Sequence, residues 1–380
     1  MKFTIQKDLL LESIQNVMKA ISSRVTIPIL TGIKIEATND GVKLTGSNSD
    51  ISIESFIPTE NDGIINIENI EPGSIVVQSK YFPDIIRKLA LKTVEINTTD
   101  DLIVNIISGG SDFQLNGQDA MEYPKLPVLH TDNSFTLSNH LLKEVINQTV
   151  FAVSTVETRP ILTGVNMSLS DQALSFVATD SHRLASKKLT VKLDDESLNF
   201  KNIVIPGKSL SELNKIIDEN DDEISISVTE NQILFQTENI YFLSRLLEGN
   251  YPETSRLIPD QSKTTLLTKT KDLLQAIDRA SLLARENKNS VVKLETKGDK
   301  QLKITSHTPE VGQVVEEVHP ESIEGEDLKI SFSAKYMLDA LRTIESDLVK
   351  IEFTGSMRPF IIKPDDDENM LQLILPVRTF

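Results

Sequence analysis

The sequence predicts three tandem α+β domains of similar fold, each with two helices on one side of antiparallel sheets. Three observations predict this. The stretch Thr26-Ile27-Pro28-Ile29-Leu30-Thr31-Gly32-Ile33 returns as Thr158-Arg159-Pro160-Ile161-Leu162-Thr163-Gly164-Val165, about 132 residues later. The segments Lys7-Asp8-Leu9-Leu10, Asn139-His140-Leu141-Leu142 and Lys271-Asp272-Leu273-Leu274 repeat that interval twice. After each, the hydrophobic period changes from helical to alternating. A period this long signals duplicated domains rather than solenoid units, and 380 residues exceed one ordinary core. The boundaries expected are 1–127, 128–259 and 260–380.

In the first repeat, Leu9, Leu10, Ile14, Val17, Met18 and Ile21 form one face of a helix over 8–21. Alternation follows at Ile33, Ile35, Val42 and Leu44, broken by Asn39-Asp40-Gly41, a hairpin signal because these residues accept positive φ. Ile51 and Ile53 extend the meander. A second helix is expected at 81–90 on Phe82, Ile85, Ile86 and Leu89, then strands to Leu115, with Tyr123-Pro124 and Leu126-Pro127 closing the repeat. The second repeat has a helix through Leu141, Leu142, Val145 and Ile146, strands at 164–169 and 173–179, and a helix at 208–217. It closes on Tyr251-Pro252 and Ile258-Pro259. The third lacks the Pro-Ile-Leu-Thr-Gly phrase, turns at Lys297-Gly298-Asp299-Lys300, and places its second helix at 335–344.

Composition excludes several classes. No apolar run reaches the 18 or so residues needed to cross a bilayer. The first residues lack a signal peptide's apolar region, and the chain has no cysteine, hence no disulfide, thiolate metal site or cysteine nucleophile. A cytoplasmic location is the expectation. His130, His140, His307 and His319 have no histidine or carboxylate at ligand spacing, so neither metal nor other cofactor is expected. Asp180, Ser181 and His182 are adjacent on one loop, where three consecutive side chains cannot converge as a triad. An enzyme using Asp180 and His182 is the alternative reading. Gly207-Lys208-Ser209 resembles the end of a phosphate loop, but Asn202 stands where the motif needs glycine. The acidic clusters 194–196, 218–223 and 365–368 read as solvated turns.

With no catalytic site left, charge distribution becomes informative. The net charge of −17 argues against an overall nucleic-acid-binding surface. The six helical segments, however, hold about 13 basic against about 10 acidic residues, leaving the remainder near −20. That contrast suggests helices lining one side and a polyanion facing them.

These features together resemble the bacterial sliding clamps, the β subunits of DNA polymerase III, and the wording is closest to the low-GC Gram-positive type. The resemblance spans all 380 residues. It rests on Arg24 with Thr26–Leu30, Thr158–Gly164, Ala178-Thr179-Asp180-Ser181-His182-Arg183-Leu184-Ala185, and Ile205-Pro206-Gly207-Lys208. It also rests on Gly249-Asn250-Tyr251-Pro252, Arg279-Ala280-Ser281-Leu282-Leu283 and Leu375-Pro376-Val377-Arg378. It implies the DNA clamp fold and a head-to-tail dimeric ring around duplex DNA, conferring processivity without catalysis. Twelve helices at ~9 Å spacing give a circle ~34 Å across their axes, which leaves a bore near 24 Å once ~10 Å of helix is removed.

Three sets of residues follow from the resemblance. Lys19, Arg24, Lys80, Arg87, Lys143, Lys208, Lys215 and Lys271 would face DNA, holding phosphates without reading bases. A peptide pocket would use Leu162, Thr179, Ser181, His182, Arg183, Leu184, Pro252, Arg256, Leu257, Leu373, Pro376, Val377 and Arg378. It would take short linear peptides from the replicative polymerase, the clamp loader, and mismatch-repair and translesion proteins. Phe113 and Leu115 would meet Leu282 and Leu283 of a second copy. Two departures stand out: Ser181 occupies a place where many clamps have glycine, and the chain continues past Arg378 to Thr379-Phe380.

Overall fold

The computed structural model describes residues 1–23, 26–127, 129, 134–193, 197–284, 290–298, 301–309 and 311–378. One pattern runs through it three times: a strand, a helix, a group of antiparallel strands, a second helix and three closing strands. The first pass comprises β1 (Lys2–Gln6), α1 (Lys7–Met18), β2 (Gly32–Thr38), β3 (Gly41–Ser47), β4 (Ile51–Pro58), β5 (Glu60–Asn61), β6 (Ile64–Ile65), β7 (Ile67–Glu71), β8 (Gly73–Gln78), α2 (Phe82–Lys88), β9 (Thr93–Thr98), β10 (Ile103–Ser108) and β11 (Ser111–Asn116). The second comprises β12 (Ser134–Ser138), α3 (Asn139–Thr149), β13 (Gly164–Ser170), β14 (Ala173–Thr179), β15 (Arg183–Thr190), β16 (Phe200–Pro206), α4 (Gly207–Leu213), β17 (Glu223–Val228), β18 (Gln232–Gln236) and β19 (Ile240–Arg245). The third comprises β20 (Thr264–Lys269), α5 (Thr270–Ala284), β21 (Val291–Lys297), β22 (Gln301–Thr308), β23 (Gly312–Val318), β24 (Ser322–Gly325), β25 (Lys329–Ser333), α6 (Ala334–Leu341), β26 (Leu348–Phe353), β27 (Phe360–Pro364) and β28 (Met370–Ile374).

The helices bury the faces their periodicity marks. In α1 these are Leu10, Ile14 and Val17, with Asp8 in the first turn where the helix dipole favours an acid. In α5 they are Leu273, Ile277, Ala280 and Ala284. Expected helix ends run long by a few residues: α1 stops at Met18 and α4 at Leu213, although Ile216 and Ile217 remain buried beyond it. The β2–β3 hairpin forms at Asn39-Asp40, but neither residue has positive φ. Gly41 serves instead for close approach, since a Cβ there would lie 2.2 Å from the Ile57 carbonyl oxygen.

The duplicated phrase folds identically in both copies. Pro28–Thr31 and Pro160–Thr163 are each one turn of 3₁₀ helix. In each, the threonine hydroxyl donates to the proline carbonyl, at 2.8 and 2.7 Å. Each copy drops a leucine into a small cluster: Leu30 with Val76 and Tyr123, Leu162 with Val204 and Tyr251. The echoing Tyr-Pro pairs therefore mark the same packing contact twice.

Two compact units emerge from the three repeats. One is residues 1–139 with 212–246, and the other is residues 140–211 with 247–380. Sheets that cross repeat boundaries cause this. In the first unit β4 pairs with β19, Ser55 opposite Ile240, within the eight-stranded order β12-β17-β18-β19-β4-β3-β2-β8. In the second, β15 pairs with β28, Arg183 opposite Ile374, within β16-β13-β14-β15-β28-β27-β26-β20-β24. A five-stranded sheet, β11-β10-β9-β1-β7, belongs to the first unit, and a four-stranded one, β23-β22-β21-β25, to the second. There α5 and α6 cover a core that includes Phe332, Phe353 and Phe360, with ring centroids 5.5 and 5.2 Å apart.

Candidate partner-binding site

The β14–β15 connection in the second unit is a tight turn built by its own polar side chains. Asp180 Oδ1 accepts from the backbone N–H groups of His182 (2.9 Å) and Arg183 (3.0 Å). Thr179 Oγ1 donates to the Arg183 carbonyl at 2.6 Å and accepts from the Ser181 N–H. Ser181 sits at φ 77°, a left-handed conformation that favours glycine. The expected departure at this position is thus a residue under backbone strain. Tyr251 braces the turn from behind. Its buried phenol, whose pKa burial pushes up, accepts from the Thr179 N–H at 3.0 Å.

Arg183 is 8% exposed and its guanidinium is used within the chain. Nε donates to Asp180 Oδ2 (3.0 Å), Nη1 to Asp339 Oδ2 (2.7 Å) and Nη2 to the Phe151 carbonyl (2.6 Å). The Phe151 and Tyr336 rings lie against it, with centroids 5.3 and 4.6 Å from its central carbon. A planar fork between two rings and two carboxylates is a task lysine cannot perform. One side chain therefore ties β15 to α6 and to the turn after α3. Sequence reasoning missed Phe151, Tyr336 and Asp339. Nothing local marks them, because Asp339 and Arg183 are 156 positions apart.

The remaining expected pocket residues lie on the elements around this turn. Leu184 and Leu373 are buried and face each other across β15 and β28. Leu162 is 4% exposed and packs in one cluster with Tyr251. His182 is exposed, its ring 6.5 Å from that of Tyr336, and its carbonyl accepts from the Leu375 N–H. Pro376 and Val377 are half-buried, with the Val377 N–H on the Ser331 carbonyl, and Arg378 is exposed. Pro252, Arg256 and Leu257 are exposed, Leu257 at 51%, and Arg256 pairs with Glu253 at 2.9 Å. Thr379 and Phe380 lie outside the described residues.

Asn202 also gains a role. At φ 61°, its amide accepts from the Tyr251 N–H and donates to the Gly249 carbonyl, so it pins the loop carrying Pro252. Gly207-Lys208-Ser209 simply opens α4.

Of the expected cationic residues, Lys80, Arg87, Lys208, Lys215 and Lys271 are exposed, while Lys19 and Lys143 are half-buried. Arg87 pairs with Asp84 and Lys215 with Glu212. Arg24 lies outside the described residues, as do His130 and the acidic cluster 194–196. Phe113 (40% exposed) and Leu115 are on the edge strand β11, and Leu282 (58% exposed) and Leu283 are on α5. Among the described residues no group of three acidic or histidine side chains is placed to hold a metal, and no helix is long and apolar enough to cross a membrane.

A threefold-duplicated α+β chain with sheets continuous between repeats has the architecture of a clamp-type protein. Comparison with known proteins supplies the particular family. Residues 1–127 match the DNA polymerase III β subunit N-terminal domain, 136–253 its central domain and 255–378 its C-terminal domain. The chain is 56% identical to the β sliding clamp of Bacillus subtilis and 50% identical to that of Staphylococcus aureus, over the full length of each. The crystal structure of the B. subtilis DNA polymerase sliding clamp superposes with a TM-score of 0.96 at 55% identity, covering both chains completely. The chain belongs to the bacterial β sliding clamps, the β subunits of DNA polymerase III. It is a processivity factor that tethers the polymerase to DNA and has no catalysis of its own.

Proposed function

We propose that two copies close head-to-tail around duplex DNA, and that the groove beside the Asp180–Arg183 turn receives short linear peptides. The partners envisaged are the replicative polymerase, the clamp loader, and mismatch-repair and translesion proteins, in the cytoplasm. The domains of this reading are residues 1–127, 128–259 and 260–380.

The order of strands carries the proposal. In each repeat the strands before the second helix follow one order: β8-β2-β3-β4, β16-β13-β14-β15 and β25-β21-β22-β23. The last strand of each group seeks the closing strand of the next repeat, as β4 takes β19 and β15 takes β28. By that rule β23 lacks a following repeat and β11 lacks a preceding one. Both are sheet edges, and both carry exposed apolar side chains, Val315 on one and Phe113 on the other. An unpaired apolar edge is unfavourable in a monomer. A second copy supplies the missing strand at each edge, and the heterologous contact closes when the rotation completes a circle. Leu282, Leu283, Phe113 and Leu115 are the side chains assigned to that contact.

Lys19, Arg24, Lys80, Arg87, Lys143, Lys208, Lys215 and Lys271 are assigned to the DNA side. The exposed pairs Arg87–Asp84 and Lys215–Glu212 are worth at most about 1 kcal/mol, so a phosphate can displace either carboxylate. Weak, exchangeable contacts suit sliding. For the peptide groove, supporting features are the exposed Leu257 and Pro252, the half-buried Pro376 and Val377, and the braced turn. A Pseudomonas aeruginosa sliding clamp 25% identical to this chain has been crystallised bound to griselimycin.

The chain lacks cysteine, so one cysteine can be introduced on β11 (Leu115→Cys) and one on β23 (Val315→Cys). A flexible bismaleimide should convert the doubly substituted protein to a covalent ring dimer, and neither single variant should form a closed ring. Crosslinking confined within one chain would contradict the reading.

A further inference from the structure

The second helix of every repeat carries the same pattern of charge. Two positions after the preceding strand comes a lysine, four later an acid, and three later a second cation. These are Lys80, Asp84 and Arg87; Lys208, Glu212 and Lys215; and Lys335, Asp339 and Arg342. On a helix such an acid stands one turn from each cation, within reach of either. The first two copies use it alike: Arg87 pairs with Asp84 at 2.9 Å and Lys215 with Glu212 at 3.0 Å. The third does not. Its Asp339 is taken by Arg183 at 2.7 Å, from 156 positions away. Arg342 keeps helical φ and ψ (−67°, −18°) at the end of α6, yet it is left with a 3.8 Å contact to Asp278. Both members of that contact are about half exposed, so water screens it. Lys335 and Arg342 line a cavity of about 300 Å³ between α5 and α6, whose only acids are Asp278 and the already paired Asp339.

We propose that Lys335 and Arg342 bind a phosphate of the DNA backbone, and that Arg183 keeps them available by holding Asp339. A phosphodiester is an anion that only accepts hydrogen bonds, and a guanidinium beside an ammonium supplies the matching donors. While Arg183 holds Asp339, a phosphate meets two cations and one loosely paired acid. Released, Asp339 falls back on Arg342, as its counterparts do in the other two repeats, and the crevice loses a cation. The turn beside the proposed peptide groove therefore sets the grip of α6 on DNA through one shared carboxylate, which couples the two sites. This inference rests on the reading that the helices face DNA, and it adds to that reading two residues and the arginine that governs them.

The test is fluorescence anisotropy of a short labelled duplex, onto which the full-length dimer can thread, over a range of salt concentrations. Each phosphate contact adds about 0.9 to the slope of log K against log salt. Lys335→Gln with Arg342→Gln should lower that slope by about 0.9 or more. Lys263→Gln with Lys329→Gln removes two exposed lysines of the same repeat that lie outside the crevice, and should leave the slope unchanged. Equal losses in the two double variants would show a net-charge effect alone and overturn the proposal. Arg183→Met, measured below its melting temperature, should lower the slope as Arg342→Gln does, and adding Asp339→Asn should restore it. Asp339→Asn alone should bind DNA at least as tightly as wild type. A normal slope in Arg183→Met, or no recovery on adding Asp339→Asn, would overturn the coupling. Lys80→Gln with Arg87→Gln separates this inference from the reading beneath it. A loss there, with none on changing Lys335 and Arg342, overturns the inference alone; no loss in either overturns the DNA-facing helices as well.

Discussion

Replacing Arg183 with alanine tests the floor of the proposed peptide groove. The substitution leaves Asp180 and Asp339, whose side chains are 13% and 22% exposed, without their cation, and it frees the Phe151 carbonyl. Stranding one side of a buried pair costs ~3–5 kcal/mol, and the partial exposure of both acids sets the expectation at the lower end, about 3 kcal/mol. The lost contact with the two rings adds roughly 0.5–1 kcal/mol. In a unit of roughly 200 residues each kcal/mol moves Tm by ~2–4 °C, so calorimetry should register a drop of about 7–16 °C in the transition of the second unit. Arg183→Met combined with Asp339→Asn should regain part of that loss, because it removes one of the two stranded charges as well as the cation. Polymerase-peptide affinity should fall in Arg183→Ala while the sedimentation coefficient of the dimer stays unchanged. An unaltered Tm, or a double variant no better than the single one, would refute the assignment of Arg183 as the tie between β15 and α6.

Other consequences are as direct. Ser181→Gly relieves a φ of 77°, worth up to about 1 kcal/mol, so Tm should rise slightly; a fall would mean the serine side chain has a stabilising contact at the turn. Lys187, 5% exposed, bridges Glu144 (2.9 Å) and Asp367 (2.6 Å). Burial lowers its pKa, but the bonds it donates to Asp367 and Glu144 outweigh that and hold it above the ordinary value. Burial likewise raises Asp367, yet the bonds from Lys187 and the Asn369 N–H hold it below the usual carboxylate range. The contribution of the bridge is therefore complete between the unfolded values, about pH 4 and pH 10. It is lost as pH falls through the depressed Asp367 pKa or rises through the elevated Lys187 pKa. Lys187→Met should lower stability across that plateau and flatten both limbs in urea melts at varied pH; parallel wild-type and variant profiles would contradict this. Leu282→Ala with Leu283→Ala should sediment mainly as monomer, whereas an unchanged dimer would place the contact elsewhere.

The repeat was readable in the chain because its signals are local. Six helices, the hairpin at Asn39-Asp40 and the twin 3₁₀ turns all depend on neighbours within a few residues. Even the Tyr-Pro echo proved to be one packing contact made twice, Tyr123 clustering with Leu30 and Tyr251 with Leu162. What stayed hidden depends on distance. The β4–β19 and β15–β28 pairings join strands about 190 residues apart, and alternation alone cannot choose a strand's partner. Two compact units therefore cut across three repeats. The residues around Arg183 stayed hidden for the same reason. The chain marks the Asp180–Arg183 turn, but not the aromatic and acidic groups on other elements that occupy its guanidinium. Gly41 shows a smaller failure of the same kind: its turn was visible, while the carbonyl of Ile57 that excludes a side chain belongs to β4.

The central claim is topological linkage, and retention on circular DNA tests it most directly. The dimer crosslinked through β11 and β23 should be loaded on nicked circular DNA before closure and then washed at high salt. It should remain bound until a restriction enzyme linearises the circle, and then leave by sliding off the ends. Release by salt from the intact circle, or retention unchanged after linearisation, would contradict a ring that holds DNA by enclosing it.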